Sequence, residues 1–320
     1  MKRRAFLGAL SAFPAAIGSL ASAAPFLPLP LSRAGLGAWE SHSSVPVPRR
    51  FVAVAAVRDR VYVIGGKSAL GGALNEVYDP KIDLWLERAP LPRELHHLAA
   101  AALDGKMYAF GGFSDDEPVS DAYEYNTLSD QWRSIAPLPA PRGSLAVAVL
   151  DGKIYAVGGR GPDGPVGTFD RYDPKLNLWE TLAPLPHPRE ELVAAALGKR
   201  IHVIGGVKDA SSKPTDAHDV YDVSVDRWGA GEPLPTPRAA CAAGVIKGRL
   251  FAAGGRTSDG ISSFNEGYDP KSGAWASFAA MSHPRYGTGA ACVGSKLFVP
   301  AGEALWGTRE PADVNEAFVL

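Results

Sequence analysis

The chain has 320 residues, of which 46% are hydrophobic, and its formal net charge at pH 7 is −1. This composition is typical of a globular protein, and the balanced charge argues against a nucleic-acid-binding surface. The 35 glycines and 27 prolines follow no collagen-like three-residue period, so they indicate many turns between short strands.

The start of the chain has the features of an export signal. It combines a basic beginning, an apolar stretch over residues 5–20 and a small-residue cleavage site at 21–23. Arg3 and Arg4 precede Ala-Phe-Leu, a pattern similar to twin-arginine signals. The apolar stretch is short for a bilayer span and contains Pro14, so we expect no membrane span. We predict a signal peptide over 1–24, a single domain over 25–320, and a periplasmic or secreted location.

The rest of the chain repeats at intervals of 46 to 49 residues, each copy marked by a pair of glycines. The pairs begin at Gly65, Gly111, Gly158, Gly205 and Gly254, with a degenerate copy at Ala301-Gly302. A tryptophan stands 26 residues before each copy: Trp39, Trp85, Trp132, Trp179, Trp228 and Trp275. Glycine loops after strands often bind phosphate, but a chain has no need of five identical phosphate loops. The glycine turns are therefore predicted to be structural.

Each repeat predicts four short strands. In the third copy, SLAVAVL (144–150) and KIYAVGG (153–159) flank an Asp-Gly hairpin signal. RYDP (171–174) ends a third strand, and Trp179 opens a fourth before a proline-rich linker. Four strands per repeat of this length are typical of a propeller blade. We expect the tyrosine and tryptophan to fill the space between blades.

The double glycine followed by tyrosine and tryptophan at these spacings resembles the kelch family, over roughly residues 37–320. The last copy departs from the motif, because Phe318 takes the tyrosine position and no tryptophan follows. Trp39, in turn, precedes the first copy without strands of its own. The predicted fold is therefore an all-β, six-bladed kelch-type β-propeller. Its ring is closed by an N-terminal strand that joins the C-terminal blade.

No enzyme motif is found among GxSxG, HExxH, CxxC and Walker loops, so catalytic residues are left unassigned. The copper site of galactose oxidase, a kelch propeller, is not reproduced, and we predict no metal and no cofactor. The two cysteines, Cys241 and Cys292, are either buried thiols or a disulfide.

An arginine recurs sixteen residues before the glycine pairs, at Arg49, Arg142, Arg189, Arg238 and Arg285. The second copy has Leu95 in this position and an arginine, Arg93, two residues earlier. We favour a structural role in which these side chains bond carbonyls of the linker. The alternative is a ring of anion-binding guanidinium groups.

Two positions in the repeat carry unlike side chains, which the fold does not require. Two residues past the arginine position lie Phe51, His97, Ser144, Glu191, Ala240 and Gly287. Directly after the glycine pairs lie Lys67, Phe113, Arg160, Val207, Arg256 and Glu303, and His96, Glu190 and Tyr286 are close in sequence. In kelch domains that bind acidic peptides, these positions contact the ligand. The resemblance thus implies a ligand site made of Lys67, His97, Ser144, Arg160, Glu191, Arg256, Tyr286 and Glu303. The alternative is an ordinary solvated rim.

Two functions agree with this site. The first is an exported propeller that binds a small polar ligand, either a sugar or a carboxylate, or a protein partner, at the channel mouth. The second is a sugar mutarotase or epimerase similar to N-acetylneuraminate mutarotase, a secreted six-bladed kelch propeller. Opening a sugar ring needs an acid and a base, for which Glu190, Glu191 or Glu303 with His97 or an arginine are candidates. The fold analogy alone supports this second function.

Overall fold

A computed structural model of the chain describes residues 36–209, 211–304 and 311–320. The predicted signal peptide lies outside the described residues. Within them, the regular structure is β throughout, and no helix is long and apolar enough to cross a membrane.

Strands numbered in chain order form six four-stranded antiparallel blades. The strand β1 (Ala38–Ser41) precedes the first blade in sequence and belongs to the last one. Blade 1 consists of β2 (Ala53–Val57), β3 (Arg60–Ile64), β4 (Asn75–Asp79) and β5 (Leu84–Glu87). Blade 2 consists of β6 (Ala99–Leu103), β7 (Lys106–Phe110), β10 (Ala122–Asn126) and β11 (Gln131–Ser134). Blade 3 consists of β12 (Ala146–Leu150), β13 (Lys153–Val157), β16 (Phe169–Asp173) and β17 (Leu178–Thr181).

The second half of the molecule repeats this arrangement. Blade 4 consists of β18 (Val193–Leu197), β19 (Arg200–Ile204), β20 (His218–Asp222) and β21 (Arg227–Ala230). Blade 5 consists of β22 (Ala242–Ile246), β23 (Arg249–Ala253), β26 (Asn265–Asp269) and β27 (Ala274–Ser277). Blade 6 consists of β28 (Ala291–Val293), β29 (Lys296–Pro300), β30 (Asn315–Val319) and β1. Short hairpins follow the second strands of blades 2, 3 and 5: β8 (Phe113–Ser114) with β9 (Glu117–Pro118), β14 (Arg160–Gly161) with β15 (Gly164–Pro165), and β24 (Arg256–Thr257) with β25 (Gly260–Ile261).

The N-terminal strand closes the ring. The strand β1 pairs antiparallel with β30, and Trp39 lies opposite Phe318. The indole Nε1 of Trp39 donates a hydrogen bond to the carbonyl of Ala279 in the preceding linker, at 2.8 Å. The predicted six-bladed propeller and its mode of closure are confirmed.

The motif tyrosine and tryptophan join neighbouring blades. In blade 1, Tyr78 lies opposite Trp85 across two strands, and the ring centroids are 5.1 Å apart. The indole N–H of each motif tryptophan donates to a linker carbonyl in the preceding blade at 2.8 or 2.9 Å. The accepting residues are Ser43, Ala89, Ala136, Ala183, Glu232 and Ala279. Each motif tryptophan therefore fills the interface between two blades and also holds the neighbouring linker through its indole hydrogen bond.

The glycine pairs are structural, as predicted. Gly65 and Gly66 have φ of +66° and +100°, a region that favours glycine. A Cβ on Gly65 would lie 2.6 Å from the carbonyl oxygen of Leu95, and one on Gly66 would lie 2.8 Å from that of Arg50. In blade 1, therefore, the second strand can end at these two positions only without a side chain.

The periodic arginines are internal, and the structural interpretation is confirmed. All five are fully buried, and each meets a carboxylate two residues before the motif aromatic. The carboxylates belong to Glu76, Asp170, Asp219, Glu266 and Glu316. Arg189 also donates to the carbonyls of His187, Val203 and Gly205. The alternative of an anion-binding guanidinium ring is wrong, because these groups are out of reach of a ligand.

Blade 2 replaces both members of this pair. Leu95 takes the arginine position and Tyr123 takes the carboxylate position, and both are buried. Arg93 does not substitute for the missing guanidinium. It is an exposed side chain that bonds Ser114 and Asp121.

The two cysteines are free thiols in the structure. Cys241 is buried, and Cys292 is half-buried. Burial raises the pKa of both thiols, that of Cys292 to about 11, so neither is a ready nucleophile at neutral pH.

Candidate ligand site at the channel mouth

Six residues from the six blades form a closed ring of backbone hydrogen bonds around the channel mouth. Each donates its N–H to the carbonyl of the preceding member, at 2.5–3.0 Å. The members, called here the inner ring, are Phe51, His97, Ser144, Glu191, Ala240 and Gly287. All six have φ between 50° and 63°. The fold thus fixes one backbone geometry and leaves the side chain free to vary.

A second set of contacts surrounds the inner ring. The residue before each inner-ring member forms an antiparallel bridge with the residue that follows a glycine pair. The bridged pairs are Arg50 with Lys67, His96 with Phe113, Gly143 with Arg160, Glu190 with Val207, Ala239 with Arg256, and Tyr286 with Glu303. Both variable positions of the repeat therefore meet at one face of the propeller, as the spacing predicts.

One side of the mouth, over blades 6, 1 and 2, is aromatic. The rings of Phe51 and His97 are stacked at a centroid distance of 3.8 Å, and Tyr286 meets Phe51 edge-on at 6.0 Å. Phe113 stacks on His96 at 5.6 Å and meets His97 edge-on. The five rings form a continuous aromatic surface, in which Tyr286 is buried and the other four side chains are half-buried.

Glycines at two positions make room for this surface. A Cβ on Gly287 would lie 2.8 Å from the Phe51 ring, and one on Gly143 would overlap the Phe113 ring. The two phenylalanines therefore lie over neighbouring backbone, which fixes their orientation at the mouth.

The charged side chains around the mouth are paired. Arg256 contacts Glu191 across a blade boundary at 2.6 Å and donates to the carbonyl of Ser212 at 2.7 Å. Arg160 contacts Glu190 at 2.7 Å. The remaining pairs are Lys67 with Asp116 and Arg50 with Glu303. Four cations thus meet four carboxylates, and these pairs carry no net charge.

Burial shapes the protonation of the mouth. It raises the pKa of Glu191, and Arg256 opposes that rise. Burial, with a hydrogen bond to Glu303, raises the pKa of the Tyr286 hydroxyl. Burial lowers the pKa of His96 to about 4 and that of His97 well below its usual range. Both imidazoles are therefore neutral at pH 7.

The structure brings together some of the predicted site residues and separates others. His97, Ser144 and Glu191 are consecutive members of the inner ring, and they line a cavity of about 190 Å³ around the axis. Tyr286 and Arg256 do not line this cavity, but they contact Phe51 and Glu191, which do. Lys67, Arg160 and Glu303 do not line it either, and their charged groups are held by Asp116, Glu190 and Arg50.

Sequence reasoning missed three residues of the mouth. Phe51 stands in the variable position and supplies the central aromatic ring, but an apolar residue in that position does not stand out among charged ones. Arg50 and Asp116 complete ion pairs between distant parts of the chain. Nothing in the repeat spacing predicts how far such side chains reach.

Comparison with known proteins identifies the repeat. The KLHDC2/KLHL20/DRC7 Kelch-repeats domain matches residues 81–255, and the Kelch motif matches residues 48–92 and 237–282. The chain belongs to the kelch-repeat family. Among solved structures, "Structure of YjhT" aligns with a TM-score of 0.76 and 18% identity, covering 87% of this chain and 97% of that one. This similarity supports the kelch propeller fold.

Curated kelch relatives match over short segments. Kelch-like protein 7 of Rattus norvegicus is 31% identical over 90 residues, which are 28% of this chain and 15% of the relative. The F-box/kelch-repeat protein At1g67480 of Arabidopsis thaliana is 37% identical over 82 residues, 25% of this chain and 22% of the relative. The chain spans less than a quarter of the length of these two relatives.

Proposed function

We propose that this kelch propeller binds a neutral sugar at the channel mouth. The observation that carries the proposal is the stacked pair of Phe51 and His97, which line the axial cavity, beside ion pairs that leave no net charge. Binding sites of small ligands combine apolar and aromatic walls with a few placed polar groups. The C–H face of a pyranose can pack on the aromatic side, and its hydroxyls can bond Ser144 and Glu191.

The ion pairs favour a neutral ligand over a carboxylate. A carboxylate that binds Arg256 has to displace Glu191, whose charge is then left partly buried without a partner. Arg160 also contacts a carboxylate, that of Glu190, through one nitrogen at 2.7 Å. A neutral sugar needs no such displacement, because hydroxyls can join the existing hydrogen bonds.

The proposal is tested by titrating the purified protein with glucose, galactose, mannose, N-acetylglucosamine and N-acetylneuraminic acid. We expect binding of at least one neutral sugar, and weaker binding of the acidic one. Phe51→Gly should reduce the affinity about tenfold, a loss of ~1.4 kcal/mol, because it removes the aromatic face. Ala240→Gly is the matched control: it changes the same position of another blade, with a φ of 50°, and removes only a methyl group.

Three results would overturn this function. They are tighter binding of the acidic sugar, equal affinities of the two glycine variants, and binding of none of the five sugars. Recording the exchange between α and β anomers during the same titration tests the catalytic alternative. Anomer exchange faster than in buffer would identify a mutarotase, for which the acid and base candidates are the glutamates of the mouth with His97 or an arginine.

A further inference from the structure

We infer that Asp116 and His96 hold His97 in the tautomer whose bare Nε2 accepts a hydrogen bond from the ligand in the mouth. The inference rests on the proposed function and specifies what the ligand must offer at this point, an O–H or N–H donor. His97 is then a specificity-determining residue, and His96 and Asp116 are positioning residues.

The three side chains lie in a row that runs from the loop of blade 2 to the inner ring. Asp116 Oδ1 lies 3.3 Å from His96 Nε2, and His96 Nδ1 lies 2.6 Å from His97 Nδ1. His97 itself lines the axial cavity. Its ring is stacked on Phe51 and meets Phe113 edge-on. These contacts fix the ring plane and direct Nδ1 toward His96.

The positions of the protons follow from the two contacts. Two Nδ1 atoms at hydrogen-bond distance require a proton on one of them and a lone pair on the other. If His96 carried that proton, its bare Nε2 would face a carboxylate oxygen, and two lone pairs would oppose each other. If His97 carries it, His96 donates from Nε2 to Asp116 and accepts at Nδ1. The carboxylate selects the second arrangement, in which His97 Nε2 has no proton.

The surroundings keep both imidazoles neutral. Burial is the main cause of the low pKa of both rings, and the charge of Lys67 adds to it. Lys67 also holds the other end of the row, because its ammonium lies 2.6 Å from Asp116 Oδ1. Arg50, the other cation that acts on these rings, is itself paired with Glu303. Because the lowered pKa keeps both rings neutral at pH 7, the Nε2 atom of His97 remains a bare acceptor.

The remaining nitrogen is available to a ligand. Among the described residues, His97 Nε2 has no hydrogen-bond partner. A bare imidazole nitrogen accepts from a hydroxyl and repels a carboxylate. The bare Nε2 atom of His97 therefore favours a neutral ligand over a carboxylate, as the ion pairs do, but for a separate physical reason.

The tautomer can be measured directly in the ligand-free protein. Histidine is labelled with ¹⁵N, and the ring nitrogens are read from their chemical shifts and couplings, with His96→Asn and His97→Asn for assignment. We expect Nδ1–H with bare Nε2 at His97, and the opposite at His96. Asp116→Gly should shift His97 toward the Nε2–H form, whereas Asp116→Asn should keep the wild-type form because its amide oxygen still accepts.

The neighbouring residue supplies the control. Asp115 and Asp116 both have positive φ, of 52° and 61°, so glycine is tolerated at either position. Asp115→Gly should leave both tautomers unchanged. The inference is overturned if wild-type His97 is protonated at Nε2, or if the two glycine variants give the same spectra.

The sugar titration separates this inference from the proposed function. If the tautomers are as expected and no sugar binds, the proposed function is wrong and the inferred tautomer of His97 is correct. If a neutral sugar binds and His97 is protonated at Nε2, the inferred tautomer is wrong and the proposed function is supported. If both hold, Asp116→Gly should weaken sugar binding at least threefold relative to Asp115→Gly.

Discussion

At the scale of single residues, the backbone of the inner ring is conformationally strained. Five of its members other than glycine have φ between 50° and 57°, and Phe51 is the bulkiest of them. Left-handed geometry in residues other than glycine costs about 1–3 kcal/mol each. Gly287 occupies the same position in blade 6 and shows that glycine can close the ring. The strain in blades 1 to 4 is therefore best explained by the contacts of their larger side chains, an explanation that does not extend to the methyl group of Ala240 in blade 5.

A second residue-scale feature is a buried pair of histidines in blade 4. His202 Nδ1 lies 2.8 Å from His218 Nε2, and His218 Nδ1 donates to the carbonyl of Glu232. The equivalent positions in blade 1 hold Tyr62 and Asn75. Burial lowers the pKa of both histidines, that of His202 to about 4. The pair therefore remains neutral in the folded protein at pH values where free histidine is charged.

The pair predicts a loss of stability in mild acid. In the unfolded chain His202 becomes protonated below about pH 6.5, whereas in the folded protein it remains neutral down to about pH 4. The free energy of unfolding should thus fall across this window, by roughly 3 kcal/mol from His202. The double variant His202→Tyr/His218→Asn, which copies blade 1, should have a flatter dependence. Urea unfolding at several pH values measures it, and parallel curves for the two proteins would contradict the prediction.

At the scale of the blade, the repeat sequence predicts more of the structure than the glycine, tyrosine and tryptophan motif alone. The strands, the closure and the wedge of tyrosine and tryptophan follow from spacing alone, because six copies align. The partner of the arginine was also readable: an acidic residue stands two positions before the aromatic wherever the arginine is present. Blade 2 confirms the coupling, because Leu95 and Tyr123 replace both members together. Contacts between blades, such as Arg256 with Glu191, were not readable, since no repeat rule sets the direction of a long side chain.

The exchange in blade 2 can be transferred to blade 3. Arg142 and Asp170 are both buried, and their charged groups lie 2.6 Å apart. Arg142→Leu leaves a buried carboxylate without its partner and should cost about 3–5 kcal/mol of stability. Adding Asp170→Tyr should restore at least half of that loss, because the pair then has the residues of blade 2. Denaturant unfolding measures the stability of both variants. A double variant no more stable than Arg142→Leu would show that the two positions are not coupled in this way.

At the scale of the whole molecule, closure is what joins the two sides of the mouth. Blade 6 supplies Tyr286 and Gly287, which complete the aromatic side and the inner ring. That blade has only three strands from the C-terminal end of the chain, and its fourth is β1. The candidate site therefore depends on a strand that is distant in sequence from the residues that blade 6 contributes to it.

The closing strand should be essential to stability and to the site together. It holds blade 6 through its pairing with β30, through the Trp39 indole on Ala279, and through Glu40, which lies 2.5 Å from Lys296 Nζ. A chain that begins at residue 42 should melt at a lower temperature than one that begins at 25, and it should associate through the exposed edge of β30. Trp39→Ala in the longer chain should cost up to ~3 kcal/mol, because its indole is half-buried. Thermal melting and light scattering give the two readouts; if the shorter chain melted with the longer one and stayed monomeric, blade 6 would be stable with three strands.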